Sequence, residues 1–387
     1  MDASSVRRNP IIGSASLDLP PMAEVIANNI DLLTQILLFF PAKSLIRFKS
    51  VSKHWLSLIS DSQFAATHSR RNPRPSISGL FLSWHFPNCQ TEKYTKSVSL
   101  QGHENRPTLA FLDGVGVALV RPKITHSSNG LLLCKCRYSA HSSDHYLVCN
   151  PTTKTHTLIP DPPEFSSGSV RSSSRAFLAF DPSKSPGYKV VFLGECYSNS
   201  VTNLYICVYC SKSASWKRFR VPDGRHTHEV LCGGVIYWLS HKGVVLGFDI
   251  DSEKMIEKST NPPKIPGVAL MMYFGECDGH LIFVQLNITS ALEFIILEMD
   301  KDNSRWIVKF LVNLEPLCSM GSKFSYYCVL CVVKEDKEKD FQLVLDLGGT
   351  VVSYNVMNQT WNVLNDMAPG ESVSYMANPY IESLSPL

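Results

Sequence analysis

Residues 31–59 read DLLTQILLFFPAKSLIRFKSVSKHWLSLI, and they carry a helical pattern of apolar side chains. Apolar residues recur at i, i+3, i+4 and i+7, the spacing of one helical stripe, at Leu33, Ile36, Leu37 and Phe40. Further apolar side chains lie outside that stripe, at Leu32, Leu38 and Phe39. The first helix therefore needs burial on more than one side.

The same stretch predicts three short helices. Pro41 ends the first, because its ring cannot donate to the preceding turn. The second runs through Leu45, Phe48 and Val51, and the third runs through Trp55, Leu58 and Ile59 with Ser52 as its N-cap. About 40 residues rarely supply a sufficient core of their own. Since burying one Leu or Ile side chain is worth roughly 1.5–3 kcal/mol, the pattern favours a partner protein.

Residues 31–59 closely resemble the F-box of the large plant F-box family, mainly through Pro41-Ala-Lys-Ser-Leu45 and Val51-Ser-Lys-His-Trp55. In that family the F-box binds a Skp-type adaptor, which links it to a cullin scaffold and a ubiquitin-conjugating enzyme. The resemblance implies a set of adaptor-binding residues, namely Leu32, Leu33, Ile36, Leu37, Pro41, Leu45, Val51 and Trp55.

The segment departs from the family pattern at its start. Many F-boxes open with Leu-Pro, whereas this chain has Asn28-Asn29. Asn can still cap the helix, but part of the usual contact is absent, so we expect a reduced affinity for the adaptor. The alternative is a small helical bundle that packs only on the rest of the chain.

After Asn72-Pro-Arg-Pro75, helical periodicity gives way to short β-like runs separated by polar clusters. One recurring element is a turn with glycine that enters a strand, at Ser78-Gly79, Asn129-Gly130, Gly233-Gly234 and Asp278-Gly279. Another is a hairpin whose second strand opens with a bulky residue, at Asn150/His156, Cys210/Trp216, Asp249/Met255, Asp300/Trp306 and Asn355/Trp361.

Successive hairpins lie about 50 residues apart, which is close to the kelch blade period. Together the two elements predict a β-propeller of about six degenerate four-stranded blades, and ring closure would remove most exposed sheet edges. A β-sandwich is the alternative fold, although the segment is long for one. Three stretches resemble the F-box-associated domain, which is kelch-related: Asn150-Pro-Thr-Thr-Lys154, Phe180-Asp-Pro182 and Tyr188-Lys-Val-Val191.

We therefore predict a multi-domain α plus all-β chain. It comprises a flexible N-terminal segment (1–27), an F-box helical unit (28–72), a substrate-binding β domain (73–380) and a tail (381–387). The charge of 37 − 34 = +3 does not indicate a nucleic-acid partner. We interpret the basic cluster of Arg70, Arg71 and Arg74 as a solvated linker. No signal peptide or membrane span is indicated, so we expect no membrane partner and a location in the cytoplasm or nucleus.

No catalytic motif is evident, and we predict no catalytic residues, no cofactor and no metal site. The 12 cysteines fit reduced, buried positions. His226-Thr-His228-Glu229 is interpreted as a polar loop between blades. By resemblance, the chain is the non-catalytic substrate-recognition subunit of a Skp-cullin-F-box ubiquitin ligase, whose β domain captures a target protein. Neither the target nor its binding residues can be assigned. The alternative is a propeller enzyme or small-ligand-binding protein whose helices are an oligomerisation handle.

Overall fold

A computed structural model describes residues 29–71, 77–85, 93–100, 108–113, 120–137, 144–162, 170–198, 201–221, 226–240, 245–258, 262, 268–287, 290, 292–300, 305–323, 327–334, 341–366 and 374–387. The predicted segment 1–27, Asn28, the joint at residues 72–75 and its Arg74 lie outside these residues. The chain divides into two compact units, Met1–Phe40 and Pro41–Leu387. The predicted domain boundaries at residues 28, 73 and 381 stay predictions.

Helices occupy most of residues 30–71. They are α1 (Ile30–Leu37), α2 (Ala42–Phe48), α3 (Lys53–Ser60) and α4 (Ser62–Arg71). The Asn29 side chain accepts a hydrogen bond from the Leu32 N–H at 3.0 Å, and Ser52 Oγ accepts one from the Trp55 N–H at 3.1 Å. Both predicted caps are thereby confirmed, since each satisfies a donor that a helix start leaves without a partner.

The helices differ from the prediction in several details. Over the described residues 29–71 the structure has four helices rather than three, α4 being the additional one, and Val51 lies in the turn after α2 rather than in that helix. The first helix ends at Leu37 rather than at Pro41, and residues 38–40 form a turn. The basic residues Arg70 and Arg71 lie in the last turn of α4 rather than in a linker. Cations at that end are favourable because the carbonyl end of a helix carries partial negative charge.

Six antiparallel sheets form a six-bladed β-propeller in the described part of the chain, which confirms the predicted fold over the sandwich. The blades are, in order: β1 (Gly79–His85), β2 (Lys93–Ser99) and β23 (Ser374–Tyr380); β3 (Val120–Ser128), β4 (Leu131–Arg137), β5 (His145–Asn150) and β6 (Thr155–Ile159); β7 (Val170–Ala179), β8 (Lys189–Ser198), β9 (Val201–Cys210) and β10 (Ser215–Val221); β11 (His226–Cys232), β12 (Val235–Ser240), β13 (Val245–Asp249) and β14 (Lys254–Lys258); β15 (Val268–Cys277), β16 (His280–Asn287), β17 (Glu293–Met299) and β18 (Trp306–Asn313); β19 (Cys328–Lys334), β20 (Phe341–Leu347), β21 (Thr350–Asn355) and β22 (Thr360–Asp366).

The five predicted hairpins join the third and fourth strands of blades 2 to 6. Each bulky residue faces the residue just before the turn, in the pairs Cys149↔His156, Tyr209↔Trp216, Phe248↔Met255, Met299↔Trp306 and Tyr354↔Trp361. The Asn355 side chain accepts the Met357 and Asn358 N–H groups at 3.0 and 2.9 Å. Asn150 and Asp249 bind their own turns in the same way. These side-chain bonds explain why the turns favour Asn and Asp.

Six apolar clusters fill the spaces between neighbouring blades. For example, Phe177 and Val191 of blade 3 pack with Ile236, Trp238 and Phe248 of blade 4. The last cluster joins blade 6 to blade 1, so the ring is closed. Four of the five bulky hairpin residues pack against these clusters, namely Trp216, Met255, Trp306 and Trp361. Trp216, for instance, stacks on Phe192 at 5.2 Å between ring centroids.

The C-terminal strand β23 closes the ring. It is the innermost strand of blade 1, where it pairs with β1, and it lies between β19 of blade 6 and β3 of blade 2. The first blade thus joins strands from both ends of the propeller sequence. This arrangement makes closure dependent on residues 374–380.

The segment that we predicted as a tail packs against blade 2. Asn150 is fully buried, and its amide donates to the carbonyls of Ser383 and Ser385 at 3.0 and 2.9 Å. The Ser383 N–H donates to Thr152 Oγ1 at 3.1 Å, and Thr152 also bonds the Tyr380 hydroxyl at 2.7 Å. One Asn side chain therefore holds both its own turn and the end of the chain.

The interpretation of His226-Thr-His228-Glu229 as a loop between blades is wrong. These residues begin β11, the innermost strand of blade 4. The register shifts between Thr227 and Val230, and His228 adopts a left-handed φ of 58°. The resulting bulge places Glu229 in an ion pair with Arg175 of blade 3. A polar sequence can belong to a strand here because a bulge redirects its side chains.

We expect Asn150→Ala to destabilise the propeller more than Asn355→Ala. Both changes remove the bonds of a turn, but only the first also removes the two bonds to residues 383 and 385. At about 1 kcal/mol per hydrogen bond, the losses should be roughly 3–4 and 2 kcal/mol. Urea unfolding followed by fluorescence measures both. Equal losses would show that the C-terminal segment contributes nothing to stability.

His126 should make stability fall below neutral pH. Burial lowers its pKa to about 4, and its Nδ1 accepts the Leu178 N–H of the next blade at 3.3 Å. His126 takes up a proton near pH 6.5 in the unfolded chain but only near pH 4 in the folded chain. Its contribution to the free energy of unfolding is therefore complete above pH 6.5 and declines as pH falls to 4. The total is about 3 kcal/mol at most. Urea midpoints between pH 7 and 4 should decline less for His126→Asn, which keeps an acceptor but does not titrate. An unchanged pH dependence in this variant would contradict the assignment.

Candidate functional site

The first helix exposes apolar side chains that a water-facing helix would normally avoid. Leu32 is 42% exposed, and Ile36 lies one turn further along with similar exposure. Phe39 follows in the turn after the helix and is 73% exposed. By contrast, Leu33 and Leu37 are buried. The first helix therefore has an open apolar face and a covered one.

The segment from Pro41 to Arg71 exposes apolar groups of its own. Val51 lies in the turn between α2 and α3 and is exposed, as is Leu56 on α3. Leu45 is buried, whereas Trp55 is half-buried and meets the Phe48 ring edge-on at 5.7 Å. The edge-on contact fixes the indole beside the exposed turn.

The segment from Pro41 to Arg71 is also strongly basic. The segment contains six cationic side chains and one carboxylate, Asp61, so its net charge is 6 − 1 = +5. The cations are Lys43, Arg47, Lys49, Lys53, Arg70 and Arg71. Burial lowers the pKa of Lys49. Since the whole chain carries only +3, the remainder has a net charge of 3 − 5 = −2. The positive charge of the protein is thus concentrated in the segment that also exposes Val51 and Leu56.

The eight predicted adaptor-binding residues fall into two classes. Exposed or half-exposed side chains available to a partner are Leu32, Ile36, Pro41, Val51 and Trp55. Leu33, Leu37 and Leu45 are buried in the chain itself. Sequence reasoning did not include the exposed Phe39 and Leu56. Phe39 could have been predicted, because it follows Leu32 by seven residues and this spacing places two residues on the same side of a helix.

The propeller has two distinct ends. Turns between first and second strands, and between third and fourth strands, lie at one end, which we call the turn end. Residues 77–78 enter β1 there, and residues 381–387 pack there beside Asn150. The strand ends that lead into the connections between second and third strands, and between blades, lie at the opposite end, the crossover end.

A charged cluster marks the crossover end of blade 2. Lys135 Nζ and Arg137 Nε each lie 2.5 Å from a different oxygen of Asp144. Burial opposes ionisation of Asp144, but the hydrogen bonds from Arg137 and Lys135 outweigh it and hold the pKa of that carboxyl below its usual value. Nearby, His145 Nδ1 lies 3.1 Å from an Asp161 oxygen. The cluster therefore presents fixed charges of both signs.

Two searches of the described residues concern other kinds of site. No three His, Cys, Asp or Glu side chains among them come together in a group that could hold a metal ion. Nor do the helices assigned in these parts of the chain include one of the length and apolarity that a bilayer crossing requires.

Comparison with known proteins gives two family matches and several relatives. Residues 29–66 match the F-box domain, and residues 81–349 match the F-box associated beta propeller domain. F-box protein At5g07610 of Arabidopsis thaliana is 32% identical over 397 residues, covering 93% of this chain and 89% of the relative. Putative F-box protein At5g62660 of the same plant is 29% identical over 318 residues, covering 75% of this chain and 78% of the relative.

The matches coincide with the two regions built above. The F-box match covers the helices with the exposed apolar and basic groups, and the second match covers most of the propeller. The relative with 32% identity extends this similarity over nearly the whole chain. The chain belongs to the F-box proteins that carry an F-box associated β-propeller domain.

Proposed function

We propose that this F-box protein is the non-catalytic substrate-recognition subunit of a Skp-cullin-F-box ubiquitin ligase, acting in the cytoplasm or nucleus. F-box proteins of this type generally serve as substrate receptors. The observation that carries the proposal is the exposed apolar face of α1, with Leu32 and Ile36 at its centre. Burying each of these side chains against an adaptor would contribute roughly 1.5–3 kcal/mol.

The charge of the neighbouring segment supports a protein partner. A net charge of +5 between Pro41 and Arg71 favours an adaptor surface that carries carboxylates. Such charges speed association more than they tighten the complex. Docking would thus combine long-range attraction with apolar burial.

Target capture is assigned to the crossover end of the propeller. The chain enters at the turn end, and residues 381–387 occupy part of it. The opposite end carries the charged cluster around Asp144. Loops on a rigid scaffold are where recognition residues concentrate. The propeller would hold a target while other subunits transfer ubiquitin to it.

Leu32→Asp should weaken adaptor binding by at least about tenfold, because it removes apolar burial and introduces a carboxylate that must lose its water. Leu158→Asp is the matched control, since Leu158 is 43% exposed on an outer strand of the propeller. Titration of labelled adaptor against the full chain measures both. Leu33→Asp is a poor test, because Leu33 is buried and the change would unfold the helix.

Equal affinity of the wild type and Leu32→Asp would contradict docking through α1. No binding of adaptor to the wild-type chain would contradict the receptor role itself. Unchanged helix content in Leu32→Asp, measured by circular dichroism, keeps the comparison valid.

The double change Leu32→Asp with Ile36→Asp should separate capture from ubiquitination. Proximity labelling with the double variant should recover the same target proteins as the wild type, in larger amounts, because captured targets are no longer modified. Their ubiquitination should fall at the same time. Loss of the labelled targets along with adaptor binding would argue that the propeller does not capture them independently.

A further inference from the structure

The outer strand of blade 5, β18, exposes three large apolar side chains. Leu311 of β18 is 76% exposed and Val308 is 50% exposed, and Ile307 is exposed as well. Within the parts of the chain that the structure describes, no strand pairs with the outer side of β18. Edge strands of this kind invite pairing with another chain.

The outer strand of blade 3, unlike β18, is protected by charged side chains. β10 of blade 3 carries Lys217, Arg218 and Arg220, all exposed. Charged side chains on an edge discourage pairing. β18 has a single charge, Lys309, and its Nζ lies 2.9 Å from Glu298 Oε1 of the adjoining strand. Blade 5 therefore lacks the protection that blade 3 has.

The backbone of β18 directs two of its exposed residues outward. The Asp300 N–H donates to the Arg305 carbonyl at 3.0 Å, and the Leu314 N–H donates to the Leu292 carbonyl at 2.8 Å, so residues 305 and 314 bond inward. Antiparallel pairs alternate between bonded and non-bonded types. The alternation can be followed inward from both ends of β18, with Lys309 as the extra residue of a bulge. The backbone N–H and C=O groups of Val308 and Leu311 then point outward, away from β17.

Val308 and Leu311 also share one face of the sheet. Val308 lies opposite Leu297 and Leu311 lies opposite Ile295, and these two residues of β17 are two positions apart. A second β18 strand, antiparallel and related by a two-fold axis between Lys309 and Phe310, would place Val308 against Leu311 of the second copy, and the reverse. Two apolar pairs would then meet on the same face.

The ends of the strand are complementary in the same register. Arg305 is at one end and mostly exposed, and Glu315 follows the other end and is also exposed. In the two-fold arrangement Arg305 lies opposite Leu314 of the second copy, beside that copy's Glu315. The contact thus repeats an attractive charge pair at both ends.

We propose that a second copy of this chain occupies the outer edge of β18, so that two blades form one continuous eight-stranded sheet. The complementarity of residues 305, 308, 311 and 315 in one register favours a second copy over an unrelated extended peptide, which would match these positions only by chance. Eight residues span roughly 27 Å, which is short for a permanent dimer. The association is therefore weak and concentration-dependent, and it gives the receptor two sets of docking helices.

Sedimentation velocity of the full chain over about 1–100 µM should show a monomer–dimer equilibrium. Leu311→Lys should raise the dissociation constant at least about tenfold, because in the dimer each new lysine would lie against Val308 of the other copy. Val363→Lys is the matched control: Val363 is 48% exposed on β22, the outer strand of blade 6, and its change should leave association intact. Thermal unfolding of each variant checks that the propeller stays folded.

The register is tested by mixing two variants. Val308→Asp and Leu311→Lys should each dimerise poorly alone, whereas a mixture should form the heterodimer, in which the aspartate faces the lysine and the second contact stays apolar. A monomer at all concentrations, or an equal effect of Leu311→Lys and Val363→Lys, would overturn the proposal. So would a Leu311→Lys chain that associates normally but loses its targets, since an extended target segment would then be the occupant.

Discussion

The propeller depends on one pairing, that of β23 with β1. Five blades are built from consecutive strands, whereas the first takes its innermost strand from residues 374–380. Without that strand, the cluster between blades 1 and 2 would lose Tyr380, which packs against Phe81, and β19 and β3 would both lose their contacts with β23. Asn150 then ties the following residues to blade 2. The pairing of β23 with β1 and the bonds of Asn150 thereby close the ring, so that every blade packs against two neighbours.

The helical region combines two requirements that conflict in an isolated protein. Leu33, Leu37 and Leu45 are buried and give the region its shape, while Leu32 and Val51 face outward at the expense of solubility. A short helical unit cannot bury both sets. The lysines and arginines between Pro41 and Arg71 favour solubility of a segment that exposes Val51.

The sequence predicted most of this architecture because its signals are local. A turn that starts with Asn or Asp, with a bulky residue six positions later, is visible in four of the five hairpins, and only the Cys210 hairpin starts differently. Caps at Asn29 and Ser52 are equally local. Burial is different, because Leu32 and Leu33 are chemically identical and only packing separates them. The bulge at His228 and the bonds between Asn150 and residues 383 and 385 were also unpredictable, since they depend on partners far apart in sequence.

Closure by the C-terminal strand has a consequence for synthesis on the ribosome. The helices are complete at Arg71, but 373 − 71 = 302 further positions must be translated before β23 begins. At typical elongation rates this takes roughly 15–60 s. During that interval the F-box helices can already have left the ribosome, while the unfinished ring exposes the blade faces that β23 will cover. Nascent chains are therefore exposed to aggregation until β23 is made, and a premature stop before Ser374 removes the closing strand and leaves the F-box helices attached to an open ring.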